Sequence, residues 1–143
     1  MLFLGAFISH YLTQRRERTK ADGDWHQKWM ADVKALIAKI SDNAILHYID
    51  DSSVQKTATS AALIISDIKR LGAVIDEASC CVPSDSKATS DSLRAFNAAI
   101  TDPEDFQDIR RSARLGNDEV CARIRACEQA LLSAIKKPRR KKV

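Results

Sequence analysis

His47, followed closely by Asp50 and Asp51, forms the one cluster in this chain whose residue types resemble acid–base machinery. An imidazole beside carboxylates can act as a general base, the carboxylate orienting the ring. At a helix end the same residues cap and solvate the terminus, and that structural role is the expectation here. Nucleophilic catalysis wants a Ser or Cys beside a base, but no GxSxG occurs and spacing alone proposes no Cys–His arrangement. Zinc wants ligands at workable spacing; His26 and His47 lie 21 apart, with no HxxxH or HExxH pattern. GxxxxGK followed by Ser or Thr is absent, and so is GxGxxG, so no loop of a known kind cradles phosphates. The residue types therefore argue against an enzyme and call for no cofactor or metal.

Cysteine chemistry is similarly quiet. Cys80 and Cys81 are adjacent and cannot easily pair with each other, while Cys121 and Cys127 form no CxxC. Reduced thiols are the expectation for a cytoplasmic domain. Cys127 falls on an apolar helical stripe, where a free Cys behaves as a small hydrophobe.

The stretch that organises the chain is MLFLGAFISHYLTQRRERTK. An apolar run ends at Leu12 and gives way to Arg15, Arg16, Arg18 and Lys20, the order of a membrane segment followed by a juxtamembrane collar. Tyr11 suits the headgroup level, and His10 sits at the polar edge without reading as a ligand. Spanning ~30 Å of hydrocarbon takes ~20 apolar residues. Met1 to Thr13 supplies thirteen, or ~20 Å at 1.5 Å per residue. Three readings stay open: a transmembrane helix continued by upstream residues, a short anchor in the interface or spanning with partners, and a buried helix of a soluble domain. A secretory signal fits least, because no basic residue precedes the run and no small-x-small cleavage site follows. The arginines place that end on the cytoplasmic side of an inner membrane, with the amino terminus outward; a soluble cytoplasmic protein is the alternative.

The apolar, Gly-containing helix running into LTQRRERTK, then a Trp-containing helix, resembles a diffuse group of small, mostly uncharacterised proteins of bacteria and phages. These carry one amino-terminal membrane helix and a QRRER-type collar. The resemblance covers roughly residues 4 to 40 and implies a place at the inner membrane. The short apolar run departs from the group's full span.

Charge divides the chain further. Residues 14–20 carry +3, and Lys136, Lys137, Arg139, Arg140, Lys141 and Lys142 carry +6; the total of +4 therefore leaves −5 for the body between them. Both basic ends suit an anionic surface, whether lipid headgroups or nucleic acid. The tail has no aromatic residue for stacking on bases, which weighs against a single-strand binder; a disordered solubilising tail is its plainest role. Four Gly and three Pro in 143 residues favour helices, and no alternating β-branched run marks a sheet.

The elements follow from periodicity. A helix from near Asp24, or continuous with the anchor, carries Trp25, Trp29, Val33, Leu36 or Ile37, Ile40 and Ala44 on one face. Trp25 and Trp29 either cap the core or contact a partner or headgroups. Asp50 to Ser53 makes a turn and a cap. The next helix shows Val54, Ala58, Ala61, Ile65, Ile68, Gly72 and Ile75, with a second row of Ile64, Ile68, Leu71 and Ile75. Residues 81–90 read as the longest loop, before a short helix with Leu93, Phe96 and Ile100 inward. Thr101-Asp102-Pro103-Glu104 signals a last helix bearing Phe106, Ile109, Ala113, Val120, Ile124, Cys127, Leu131 and Ala134, with a break or recap at Gly116-Asn117-Asp118. Arg110, Arg111, Arg114, Arg123 and Arg125 fall on its outer side, interleaved with acids in i,i+4 pairs.

The expected fold is all-α: an antiparallel bundle of three long helices and one short helix, preceded by an apolar membrane helix. Its parts are an anchor at 1–13, a collar at 14–22, a bundle at 23–137 and a basic tail at 138–143. The expected function is that of a membrane-anchored, non-enzymatic protein, a phage accessory or defence effector among the possibilities. It binds a protein partner or a second copy, and no small-molecule substrate is indicated. A soluble module that binds nucleic acid through the tail is the alternative.

Overall fold

A computed structural model describes residues 2–50, 54–78, 86–108 and 113–136, with side chains described from 13 in the first span (except 15 and 19) and from 58 in the second. All regular secondary structure among them is helical: α1 (Leu2–Ile49), α2 (Val54–Ala78), α3 (Ser86–Thr101) and α4 (Glu119–Lys136). The apolar run, the collar and the first bundle helix therefore share one element. Gln, Arg, Glu, Lys and Ala between 14 and 35 are good helix formers. Gly23 is a single interruption, at which a β-carbon would meet nothing within 4 Å. Among the described residues no helix is long and apolar enough to cross a membrane.

The chain divides into two compact units, Met1–Asp32 and Val33–Val143. The first consists of the amino-terminal part of α1. The second holds the core, a helical bundle. From α1 come Val33, Ile37, Ile40, Ala44 and Tyr48, all fully buried, on the stripe that periodicity sets out. From α2 come Ala61, Ile64, Ile68, Leu71, Ile75 and Ala78. The second of the two expected rows thus faces the core, and Ala58 of the first row is exposed. Burying Ile64 and Leu71 removes more apolar area from water than burying Ala58 would, and this sets the rotation of the helix. A side-chain carbon on Gly72 would meet Leu93 Cδ2 at 3.8 Å, so α2 and α3 lie close there.

α3 starts at Ser86 inside the expected loop and buries Thr89, Phe96, Ala99 and Ile100. With 16 residues it is nearly as long as α4 with 18, so the bundle lacks the single short helix expected of it. α3 and α4 pack against each other. The largest departure lies between them. The helix expected from Pro103 does not form; residues 102–108 make turns, and α4 begins only at Glu119. Phe106 is 2 % exposed, but it reaches the core from this connection. The recap expected at Asn117-Asp118 does occur. The Asp118 carbonyl accepts the first helical bond, from Ala122 N at 3.0 Å. Along α4, Cys121, Ile124, Leu131, Ala134 and Ile135 are interior. Cys127, expected on the apolar stripe, is only half-buried, and Cys121, which was not placed on that stripe, is buried. Residues 51–53, 81–85, Ile109, Arg110, Arg111 and the tail from Lys137 lie outside the described residues.

Candidate interaction surface

The collar sits in the first unit. Arg16, Arg18 and Lys20 are exposed on α1, and the side chain of Arg15 is outside the described residues. Lys136 ends α4 and is exposed; Lys137, Arg139, Arg140, Lys141 and Lys142 are not among the described residues. Trp25 and Trp29 are one helical turn apart, with ring centroids 6.4 Å apart and planes 15° from parallel. His26 stacks on Trp29 at 6.0 Å. Trp25 is 46 % exposed, an unusual position for an indole. These aromatics extend the apolar face of α1 into the first unit without becoming part of the buried core.

The second unit carries polar networks that spacing did not show. His47, expected to lie solvated at a helix end, is 3 % exposed. Its Nε2 donates to the Phe106 carbonyl at 2.9 Å, and Nδ1 lies 3.1 Å from Ser60 Oγ. In the neutral tautomer with hydrogen on Nε2, Nδ1 accepts from the serine hydroxyl. The neighbouring Tyr48 donates its hydroxyl to the Ile100 carbonyl at 2.5 Å, one of the carbonyls that the end of α3 leaves without a helical partner. His47, Tyr48 and Phe106 pack as an aromatic trio with centroids 5.1 to 6.3 Å apart. Ser60 beside His47 has the make-up of a nucleophile–base pair. Yet the orienting group is a backbone carbonyl, and the imidazole is sealed under Phe106, so the arrangement fixes the connection rather than opening onto a substrate.

Arg114 ties together the non-helical residues described between α3 and α4, 102–108 and 113–118. Its guanidinium grips Asp105 with two bonds of 2.9 Å and Asp118 with one of 2.7 Å. It lies 5.7 Å from the centre of the Tyr48 ring, and its backbone amide donates to the Tyr48 carbonyl at 2.8 Å, closing the end of α1. Paired carboxylates push its pKa up, and the Asp118 carboxyl is held below its usual range chiefly by the bond from Arg114. A second network joins α1 to α4. Ser41 Oγ donates to Glu128 Oε2 at 2.8 Å, and Arg125 reaches Glu128 at 3.0 Å and Asp42 at 2.7 Å. Glu128, 6 % exposed, is thereby a buried carboxylate with partners. Arg125's guanidinium pKa is raised first by Glu128 and then by Asp42. Burial pushes the Cys121 thiol up, away from the reactive thiolate.

A recess of about 280 Å³ opens on α2, lined by Ala58, Ala61, Ala62, Ile65 and Gln107. Among the described residues, none that lines it is titratable. Among the described residues no group of three or more His, Cys, Asp or Glu is placed to hold a metal ion. No family model, curated protein or solved structure matches this chain.

Proposed function

We propose that this chain is a non-enzymatic helical-bundle protein, held at an anionic membrane by its amino-terminal segment and acting through contact with a protein or a second copy. The observation that carries the proposal is the sharp change from an apolar run to Arg15, Arg16, Arg18 and Lys20 within the single helix α1. Apolar burial and attraction of Lys and Arg to anionic headgroups, about 1 kcal/mol per residue near the surface, act together there. Both a helix that crosses the bilayer and an anchor in its interface are compatible with that order of residues. The bundle is an antiparallel one in this proposal. Lys39 meets Asp67 at 2.9 Å while His47 meets Ser60, the descending order that antiparallel α1 and α2 require.

Fractionation of cells expressing the full chain tests the proposal. The expected outcome is recovery with membranes that withstands high salt and carbonate. Release by salt alone reduces the apolar run to a bystander, and complete solubility overturns the proposal. A soluble nucleic-acid binder is the other outcome; it would instead show duplex or single-strand binding that falls steeply with salt.

A further inference from the structure

The second unit exposes a large leucine and holds an unfilled apolar recess, and neither serves its core or its polar networks. Leu115 is 77 % exposed, more than Leu46 or Leu63. It stands on a turn that is tied at both ends. The Arg114 amide donates to the Tyr48 carbonyl at 2.8 Å, and the Asp118 amide donates to the Leu115 carbonyl at 2.9 Å. The Arg114 guanidinium holds Asp105 and Asp118 as well. A side chain presented on so fixed a backbone costs little ordering entropy when it is covered.

The recess lies on α2, where Ala58, Ala61, Ala62, Ile65 and Gln107 line a space of about 280 Å³. Ala58 and Ala62 are exposed, so it opens outward. An apolar cavity of about 150 Å³ takes up benzene, and this recess therefore has room for the isobutyl group of a leucine. Gln107 ties the recess to the connection that bears Leu115, because Arg114 bonds Asp105 two residues before it.

The charges beside the two features are opposite. Lys69, one turn past Ile65 on α2, is exposed beside the recess. Glu119, the first residue of α4, is exposed beside the projecting leucine. One molecule thus carries an apolar projection next to a carboxylate and an apolar hollow next to an ammonium. A second copy supplies the matching half of each at once, with its Leu115 in the recess and its Glu119 against Lys69. Two-fold symmetry makes each contact occur twice. We infer that the recess on α2 is the docking site for Leu115 of a second copy of this chain. The inference rests on the proposed self-association and gives it a surface, and it makes no use of the anchor.

Sedimentation equilibrium of the full chain in a mild detergent tests the pairing, with wild type expected to be a dimer. Leu115→Ala removes the projecting carbons, and Ala62→Leu fills the recess. Each is expected to weaken the dimer about tenfold or more. Lys69→Glu and Glu119→Lys, each alone, set like charges across the pair and weaken it severalfold. An equimolar mixture of those two variants restores opposite charges at both contacts and recovers the dimer, which an attraction of Lys69 to Glu119 inside one chain could not do. Melting followed by circular dichroism checks that each variant keeps its fold. Should Ala62→Leu or a charge reversal unfold, Leu115→Ala and Leu115→Ser, which alter only an exposed side chain, carry the test. A monomeric wild type, Leu115 variants that pair as tightly as wild type, or a mixture of folded charge variants that stays monomeric overturns the inference. A monomer that still fractionates with membranes removes the pairing alone and leaves the anchor standing. A dimer released by salt removes the anchor alone.

Discussion

At the scale of single residues, the second unit is held by polar atoms that complete one another's helix ends. Tyr48 donates to a carbonyl at the end of α3 while its own carbonyl accepts from Arg114. Removing one hydroxyl therefore strands a buried acceptor rather than deleting a surface contact. Tyr48→Phe keeps the ring and its packing, so the expected loss of about 1–3 kcal/mol in denaturant unfolding isolates that single bond; an unchanged midpoint would mean that water satisfies the Ile100 carbonyl. Asp118 gives a pH signature. Its carboxyl titrates lower in the folded chain than in the unfolded one, because Arg114 bonds the charged form. The stabilisation is thus fully present above the unfolded value near 3.8 and is lost as pH falls through the lower folded value. Asparagine caps a helix as well as aspartate does, so Asp118→Asn removes the charge and keeps the cap. The variant should be less stable than wild type at neutral pH, and urea titrations should show the gap closing as pH drops below that window.

At the scale of elements, Ile68 belongs to both apolar rows of α2 and is buried at 8 % exposure. Ile68→Asp places an unpaired charge in the core at a cost of several kcal/mol, enough to unfold a marginal domain. A melting temperature within a degree or two of wild type would show that α2 turns another face inward. Period and caps made α1, α2 and the start of α4 legible in the sequence. The stripe Val33, Ile37, Ile40, Ala44 repeats at helical spacing, and Asp118 is a cap by residue type. That residues 103–108 and 113–118 are not helical was not legible. The local signals, Pro103 after Asp102 with acids following, favour a helix start. They are overruled by Arg114 binding Asp105 nine residues back and by Phe106 packing on His47 and Tyr48. Such pairings depend on where the ends of α1 and α3 lie, which no local window contains. The burial of His47, expected to lie solvated at a helix end, was not legible for the same reason, since Ser60 and the Phe106 carbonyl come to it from other elements. The one trace in the sequence was the His47-Tyr48 dipeptide, set on the inner stripe four residues past Ala44.

At the scale of the whole molecule, acid and base are distributed unevenly: basic stretches near both ends and a body of net −5 between them. The aromatic residues are uneven too. Both tryptophans of the chain, Trp25 and Trp29, fall in the first unit, and the core of the second is built from aliphatic side chains with Tyr48, Phe96 and Phe106. Indole emission is therefore a spectroscopic window onto residues 25–29 and is blind to the packing of the bundle. Heated in steps, the chain should give an emission curve set by the environment of that stacked pair, while ellipticity at 222 nm follows all four helices. Two non-coincident curves would not by themselves signal a folding intermediate of the core; the indole curve follows residues 25–29, while the ellipticity averages over every helix.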